Sequence, residues 1–220
     1  MNPIDQYIEN YKAWLNVTPE TFRHTMETSE ETVLGVKICV ESHEYEEING
    51  LKRGETATVT FSKGELSYSC SCCDLQRGFF PICIGGKNFI FFSRTLYGFV
   101  LLDCETLEAE YEHFPEIVLD GEESFIVTDV KQLKDLLRLG GCYWACPDEF
   151  FLFDYHTKRF LSFSRLYPEI DFEREEIEAE TLTLHGKDKN DEDVTVSLTK
   201  EELLAALDTH GTADFRSRYY

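Results

Sequence analysis

The chain has 220 residues, 42 Asp and Glu against 21 Lys and Arg, and a formal charge of −21 at pH 7. That length suffices for one large domain or two small ones without disulfide support, and the 17 Phe and 11 Tyr exclude a disordered acidic chain, which would lack the side chains to collapse. A field of this sign repels phosphates and anionic lipid surfaces, so neither nucleic acid nor membrane is an expected partner, whereas a basic protein would be attracted.

Residues 1–14 show no basic stretch leading into an apolar one, so no secretory signal is expected. The most apolar window, 79–92, is broken by Gly85, Gly86, Lys87 and Asn88 and is too short to span a bilayer. Eight cysteines are then read as thiols of a reducing compartment, and the expected address is the cytoplasm.

Along the chain, Ile4, Tyr7, Ile8, Tyr11, Trp14 and Leu15 have the spacing of an amphipathic helix. Thr18-Pro19 suits the start of a second, short helix, with Thr as cap and Pro in the first turn. Residues 33–40 read as a strand, Asn49-Gly50 as a turn, and 56–61 as a half-buried strand. Lys63-Gly64 turns into a second strand at 66–68, which makes a hairpin.

Beyond this amino-terminal region (1–84) the sequence reads as two copies of one unit, 85–139 and 140–211, followed by a tail at 212–220. Each copy has a Gly-Gly pair, an aromatic strand, an apolar-apolar-Asp-x-x-Thr turn, and Pro-Glu-Ile. The turns are Leu101-Leu102-Asp103-Cys104-Glu105-Thr106 and Leu152-Phe153-Asp154-Tyr155-His156-Thr157. An Asp at that place can accept backbone N–H groups two residues on and close the turn. Each copy then reads as a short strand, a Thr cap (Thr128 or Thr199), a helix, and a Gly (Gly140 or Gly211) in the left-handed conformation. Thr199 with Glu202 has the capping-box form. The extra length of the second copy includes the polar loop 186–193, where mobility is expected. The expected class is α+β: mostly antiparallel sheet, a few flanking helices, and a tandem strand-hairpin-strand-helix unit, whether packed as one domain or several.

Two features carry chemistry. The first is the acidic tract of each copy: Glu105, Glu108, Glu110, Glu112 and Glu116, then Glu173, Glu176, Glu178 and Glu180. Glu108, Glu110 and Glu112 alternate to one strand face, as do Glu176, Glu178 and Glu180. Facing carboxylates repel, so such a ribbon is either solvated or met by cations. The second is Cys70-Ser71-Cys72-Cys73 with Cys83 beyond a loop, a set that could hold a tetrahedral zinc. The C-x-C pair after a hairpin resembles the SWIM type of zinc finger. It departs from that pattern at Cys83, which Ile84 and Gly85 follow, so the closing His is missing. Buried reduced thiols explain the same cysteines without a metal, and no cofactor is otherwise expected.

No G-x-S-x-G elbow, P-loop, G-x-G-x-x-G or H-E-x-x-H occurs, so an enzyme is the less expected reading and no catalytic residue is named. The leading expectation is an acidic binding protein, of inhibitor or immunity type, docking on a basic protein such as a nuclease. The alternative is a zinc- or thiol-dependent protein built on Cys70, Cys72, Cys73 and Cys83.

Overall fold

Two-residue connections set the plan of the chain. In the computed structural model, which describes residues 24–48, 51–72, 78–94, 98–113, 126–142, 148–178 and 180–211, β1 (His24–Val33) and β2 (Val36–Ile48) join at Leu34-Gly35. Both joining residues have positive φ, 50° and 77°. That conformation matches the turn to the twist of its strands. Gly85-Gly86, at 58° and 79°, makes the same connection between β5 (Phe80–Ile84) and β6 (Lys87–Ser93). The pair is therefore a hairpin turn, and glycine is there for its backbone freedom. β3 (Leu51–Lys63) and β4 (Leu66–Cys72) join at Gly64-Glu65, and β9 (Ile126–Leu133) and β10 (Leu136–Cys142) join at Lys134-Asp135.

These hairpins extend into four antiparallel meanders. The first sheet runs β1-β2-β3-β4 and the second β5-β6-β7-β8, with β7 at Phe99–Asp103 and β8 at Ala109–His113. The third runs β12-β11-β10-β9, with β11 at Asp148–Asp154 and β12 at Arg159–Ser162. The fourth has three strands, β13 (Ile170–Glu178), β14 (Thr181–Asp188) and β15 (Asp193–Thr199). A helical turn, Phe163–Leu166, separates the last two sheets, and the helix Lys200–His210 follows β15.

The chain divides into two compact units, Met1–Asp120 and Gly121–Tyr220. In the first, Val36, Ile38, Val59 and Phe61 of the first sheet pack on Ile90, Phe92, Val100 and Leu102 of the second. Phe61 centres this layer, 4.9 Å from the Phe92 ring and edge-on to Phe79 at 5.6 Å. Each such aromatic, fully buried, stabilises the fold by about 1.5–3 kcal/mol relative to exposure. In the second unit, Leu136, Phe150, Leu152 and Leu161 pack on Phe172, Leu182 and Leu184 and on Leu203 and Leu207 of the helix. Residues of both faces of β6, β7 and β11 are buried. Strands covered on both sides read as continuous apolar runs, such as Phe89-Ile90-Phe91-Phe92 and Phe150-Phe151-Leu152-Phe153, and not as alternation.

The expectation of mostly antiparallel sheet holds, and so does that of the Asp turns. Asp103 Oδ1 accepts the N–H groups of Glu105 (2.7 Å) and Thr106 (3.1 Å). Asp154 accepts the N–H of His156 (3.0 Å) and the Thr157 hydroxyl (2.6 Å). Each turn joins the third and fourth strands of a four-stranded meander.

Other expectations are corrected. The helix expected after Thr128 is the hairpin β9–β10, with Leu133 opposite Leu136. Leu133, Leu136 and Leu137 have the i, i+3, i+4 spacing of a helix face, but with Leu139 they are all buried because the hairpin is covered on both sides, which lets a strand imitate that spacing. Gly140-Gly141 lies inside β10 and is no counterpart of the Gly85-Gly86 turn. The strand expected over 33–40 is broken at Leu34-Gly35. Gly211 follows the last helix as expected, but in extended conformation (φ −67°). The helices expected over 4–15 and at Thr18, the Asn49-Gly50 turn and the tail 212–220 lie outside the described residues. Around the second of these gaps, Ile48 pairs with Leu51 across the β2–β3 ladder.

Candidate functional site

The acidic residues gather on strands that end a sheet and in the turns beside them, with Glu105 and Glu108 between β7 and β8 and Glu180 between β13 and β14. β8 closes the second sheet and β13 the fourth, and each carries a bulge within its acidic tract. On β8 the ladder steps from Leu101↔Tyr111 to Leu102↔Ala109, which makes Glu110 the bulged residue. On β13 it steps from Phe172↔Gly186 to Arg174↔His185, which makes Glu173 the bulged residue. A bulge bends the strand and re-aims its side chains, and charge on an edge blocks pairing with a stray strand. β1, which closes the first sheet, adds Glu27, Glu30 and Glu31, all exposed. That third acidic edge was missed in the sequence, because its glutamates are interleaved with Thr and Ser and form no run.

Part of this charge is answered inside the molecule. Lys63 Nζ lies 2.7 Å from Glu105, Arg94 2.6 Å from Glu112, Lys37 2.8 Å from Glu30, and Arg174 3.2 Å from Glu176. Lys134 pairs with Glu180. Glu108, Glu110, Glu173 and Glu178 present exposed carboxylates. The bulge at Glu110 breaks the simple alternation expected of 108, 110 and 112, and Glu112 sits opposite Val100 beside the first sheet. Glu176 and Glu178 do share the outer face of the fourth sheet, pairing with Thr183 and Thr181. That face is hydroxylated, with Thr183 and Ser197 in contact at 3.1 Å and His185 and Thr195 at 3.0 Å. Glu116 lies outside the described residues. The polar loop expected to be mobile is a hairpin end in which Asp188 accepts the N–H groups of Asn190 (2.8 Å) and Glu192 (2.9 Å).

Glu175, in the middle of the second tract, is turned inward. Its side chain is 6 % exposed and pairs with Arg138, 4 % exposed, on β10. Lys131 reaches the same carboxylate at 2.5 Å, and Arg138 also binds Asp129 at 2.8 Å. The guanidinium lies over the Phe150 ring, 4.6 Å from its centre. A Cβ at Gly140 would stand 2.3 Å from Arg138 Nη1, so Gly140 is there to leave room for this side chain. The cluster ties the fourth sheet to the third. Surrounding hydrogen bonds and opposite charges are what make so buried a pair tolerable.

The cysteines divide. Cys70 and Cys72 occupy alternate positions of β4, so both point to the inner face of the first sheet. Their sulfurs are 3.9 Å apart. Arg94 anchors beside them, its Nε donating to the Ser71 carbonyl at 3.1 Å and its Nη1 to Glu112. The Cys70 thiol is held below its ordinary value, first by its hydrogen bond with Cys72, against burial and with help from Arg94 and Tyr68. Burial pushes the Tyr68 hydroxyl up, and burial pushes Cys104 up to about 11. Cys83 is exposed on β5, and Cys73 lies outside the described residues. Among the described residues no group of three or more His, Cys, Asp or Glu is placed to hold a metal ion.

No protein-family model matches the chain, and no curated protein matches it. Among the described residues, no helix is long and apolar enough to cross a membrane.

Proposed function

We propose that the chain is an acidic cytoplasmic binding protein, of inhibitor or immunity type, which docks on a basic protein partner such as a nuclease or another nucleic-acid-binding protein. The observation that carries this reading is the placement of exposed carboxylates on the edge strands β1, β8 and β13, two of which are bulged at a glutamate. A partner that must itself grip phosphate carries a basic groove, and a row of carboxylates at a sheet edge is complementary to it. The docking residues are Glu108, Glu110, Glu173 and Glu178, flanked by Glu105, Glu112, Glu116, Glu176 and Glu180. A tandem duplication is supported by the Asp-x-x-Thr turns at Asp103 and Asp154, each of which joins the third and fourth strands of a four-stranded meander.

The test is the salt dependence of binding. A basic protein captured on the immobilised chain at low salt should elute in a salt gradient, and Glu108→Gln/Glu110→Gln/Glu178→Gln should slow its association by about tenfold or more while changing dissociation little. Capture that is indifferent to salt and to these substitutions would rule the reading out.

A second reading, a thiol-dependent protein centred on the cysteine cluster, is favoured by the 3.9 Å approach of Cys70 and Cys72. Cys73 and Cys83 would complete a zinc set in that case.

A further inference from the structure

We infer that Leu34 and Leu66, at the turn end of the first unit, form an apolar knob within a rim of carboxylates, and that this end fits an apolar hollow on a basic protein. The inference deepens the binding reading and rests on it.

Chain direction gathers four connections at that end. The ladders of the first sheet close at Val33↔Val36 and at Lys63↔Leu66, so Leu34-Gly35 and Gly64-Glu65 lie at the same end of it. In the second sheet Gly85-Gly86 and the turn at Asp103 share an end, where Cys104 donates its N–H to the Asn88 carbonyl at 2.9 Å. Lys63 joins the two ends, its Nζ donating to the Cys104 carbonyl at 3.1 Å and to Glu105 at 2.7 Å.

Two observations mark this end as a contact surface. Leu34 and Leu66 are 42 % and 45 % exposed, and among the described residues the only other large apolar side chain so exposed is Leu204. One exposed leucine is ordinary; two at one end of a unit are a patch. Leu34 also holds φ +50°, at the first position of a turn that favours Asn, Asp or Gly. A leucine there strains the backbone and still leaves its side chain in water. The corresponding hairpin of the second unit has Lys134 at that position with φ +53°, paired with Glu180. A polar residue thus suffices to build such a turn, and the leucine is explained by a surface that covers it.

Charge decides what kind of surface that is. Glu31, Glu65, Glu105 and Glu108 are exposed at this end. Lys63 is taken up by Glu105, and Lys87 lies 4.0 Å from Asp103, so the rim is left negative. A second copy would set like charge against like, whereas a basic partner meets it. A few apolar anchors inside a polar rim is the plan of protein–protein interfaces, and the anchors carry most of the energy.

The experiment titrates the full chain at low salt with two synthetic peptides of equal length and charge. One alternates lysine with leucine, the other lysine with serine. The natural chain should bind the lysine–leucine peptide about tenfold more tightly than the other. Leu34→Asn combined with Leu66→Thr should remove that advantage and leave binding of the lysine–serine peptide unchanged. Leu204→Gln, at the other exposed leucine, should alter neither. Leu34→Asn should melt no lower than the natural chain, because asparagine suits the turn, so lost binding is not unfolding. An advantage that survives the double substitution overturns the apolar knob. Equal, salt-sensitive binding of both peptides leaves the acidic reading standing without it, and binding of neither removes both. Sedimentation of the chain alone is the last arm: a dimer abolished by Leu34→Asn would make the knob a self-interface and overturn the basic partner.

Discussion

Arg138 shows how far one residue's meaning depends on its surroundings. In the sequence it is a lone cation between leucines, and Glu175 is one glutamate in a run of them. Folded, the two meet under cover, with Asp129, Lys131 and the Phe150 ring around them. Removing one partner strands the other charge, so Arg138→Ala or Glu175→Gln should each lower stability by about 3–5 kcal/mol. The loss should appear as a reduced urea midpoint at unchanged slope. Replacing both together by Met and Leu should cost much less, because no charge is then left buried. Gly140→Ala should act in the same direction as Arg138→Ala, since its methyl occupies the guanidinium's place. Nothing in the order of residues distinguishes Glu175 from Glu176; the bulge at Glu173 decides which of them faces inward.

At the scale of elements, legibility follows from whether the signal is local. The capping box at the last helix is local: Glu202 donates its N–H to the Thr199 hydroxyl, and its carboxylate accepts the Thr199 N–H at 2.8 Å. Thr199→Ala should cost about 1 kcal/mol. Those bonds, first of all that from the Thr199 backbone, hold the Glu202 carboxyl below its ordinary value of 4.5. A depressed carboxyl contributes stability that is fully present above the unfolded value and is lost as pH falls through the folded one. The stability difference between the natural chain and Glu202→Gln should therefore be greatest above pH 4.5 and shrink below it, as read by helical circular dichroism in urea titrations. The Asp-x-x-Thr turns are equally local and were legible for the same reason. The segment after Thr128 was not, because a strand buried on both faces and a short helix both present clustered leucines.

For the whole molecule the governing quantity is the charge of −21. Self-repulsion of that magnitude opposes compaction, and salt screens it. The melting temperature should therefore rise between low and moderate salt, while affinity for a basic partner falls over the same interval. Opposite signs for the two would identify the exposed edge carboxylates as the shared cause; a melting temperature that falls with salt would point instead to the internal ion pairs. The sequence alone determined the acidic balance, the antiparallel sheet, the two Asp turns and the last helix with its cap. These depend on composition or on residues within a few positions of one another. Only the tertiary structure decided that the acidic residues lie on sheet edges, that two glutamates sit at bulges, that Glu175 is buried on Arg138, and that Arg94 stands beside the Cys70–Cys72 pair. Each of those is set by strand order and register, which bring together residues tens of positions apart and which no local pattern encodes.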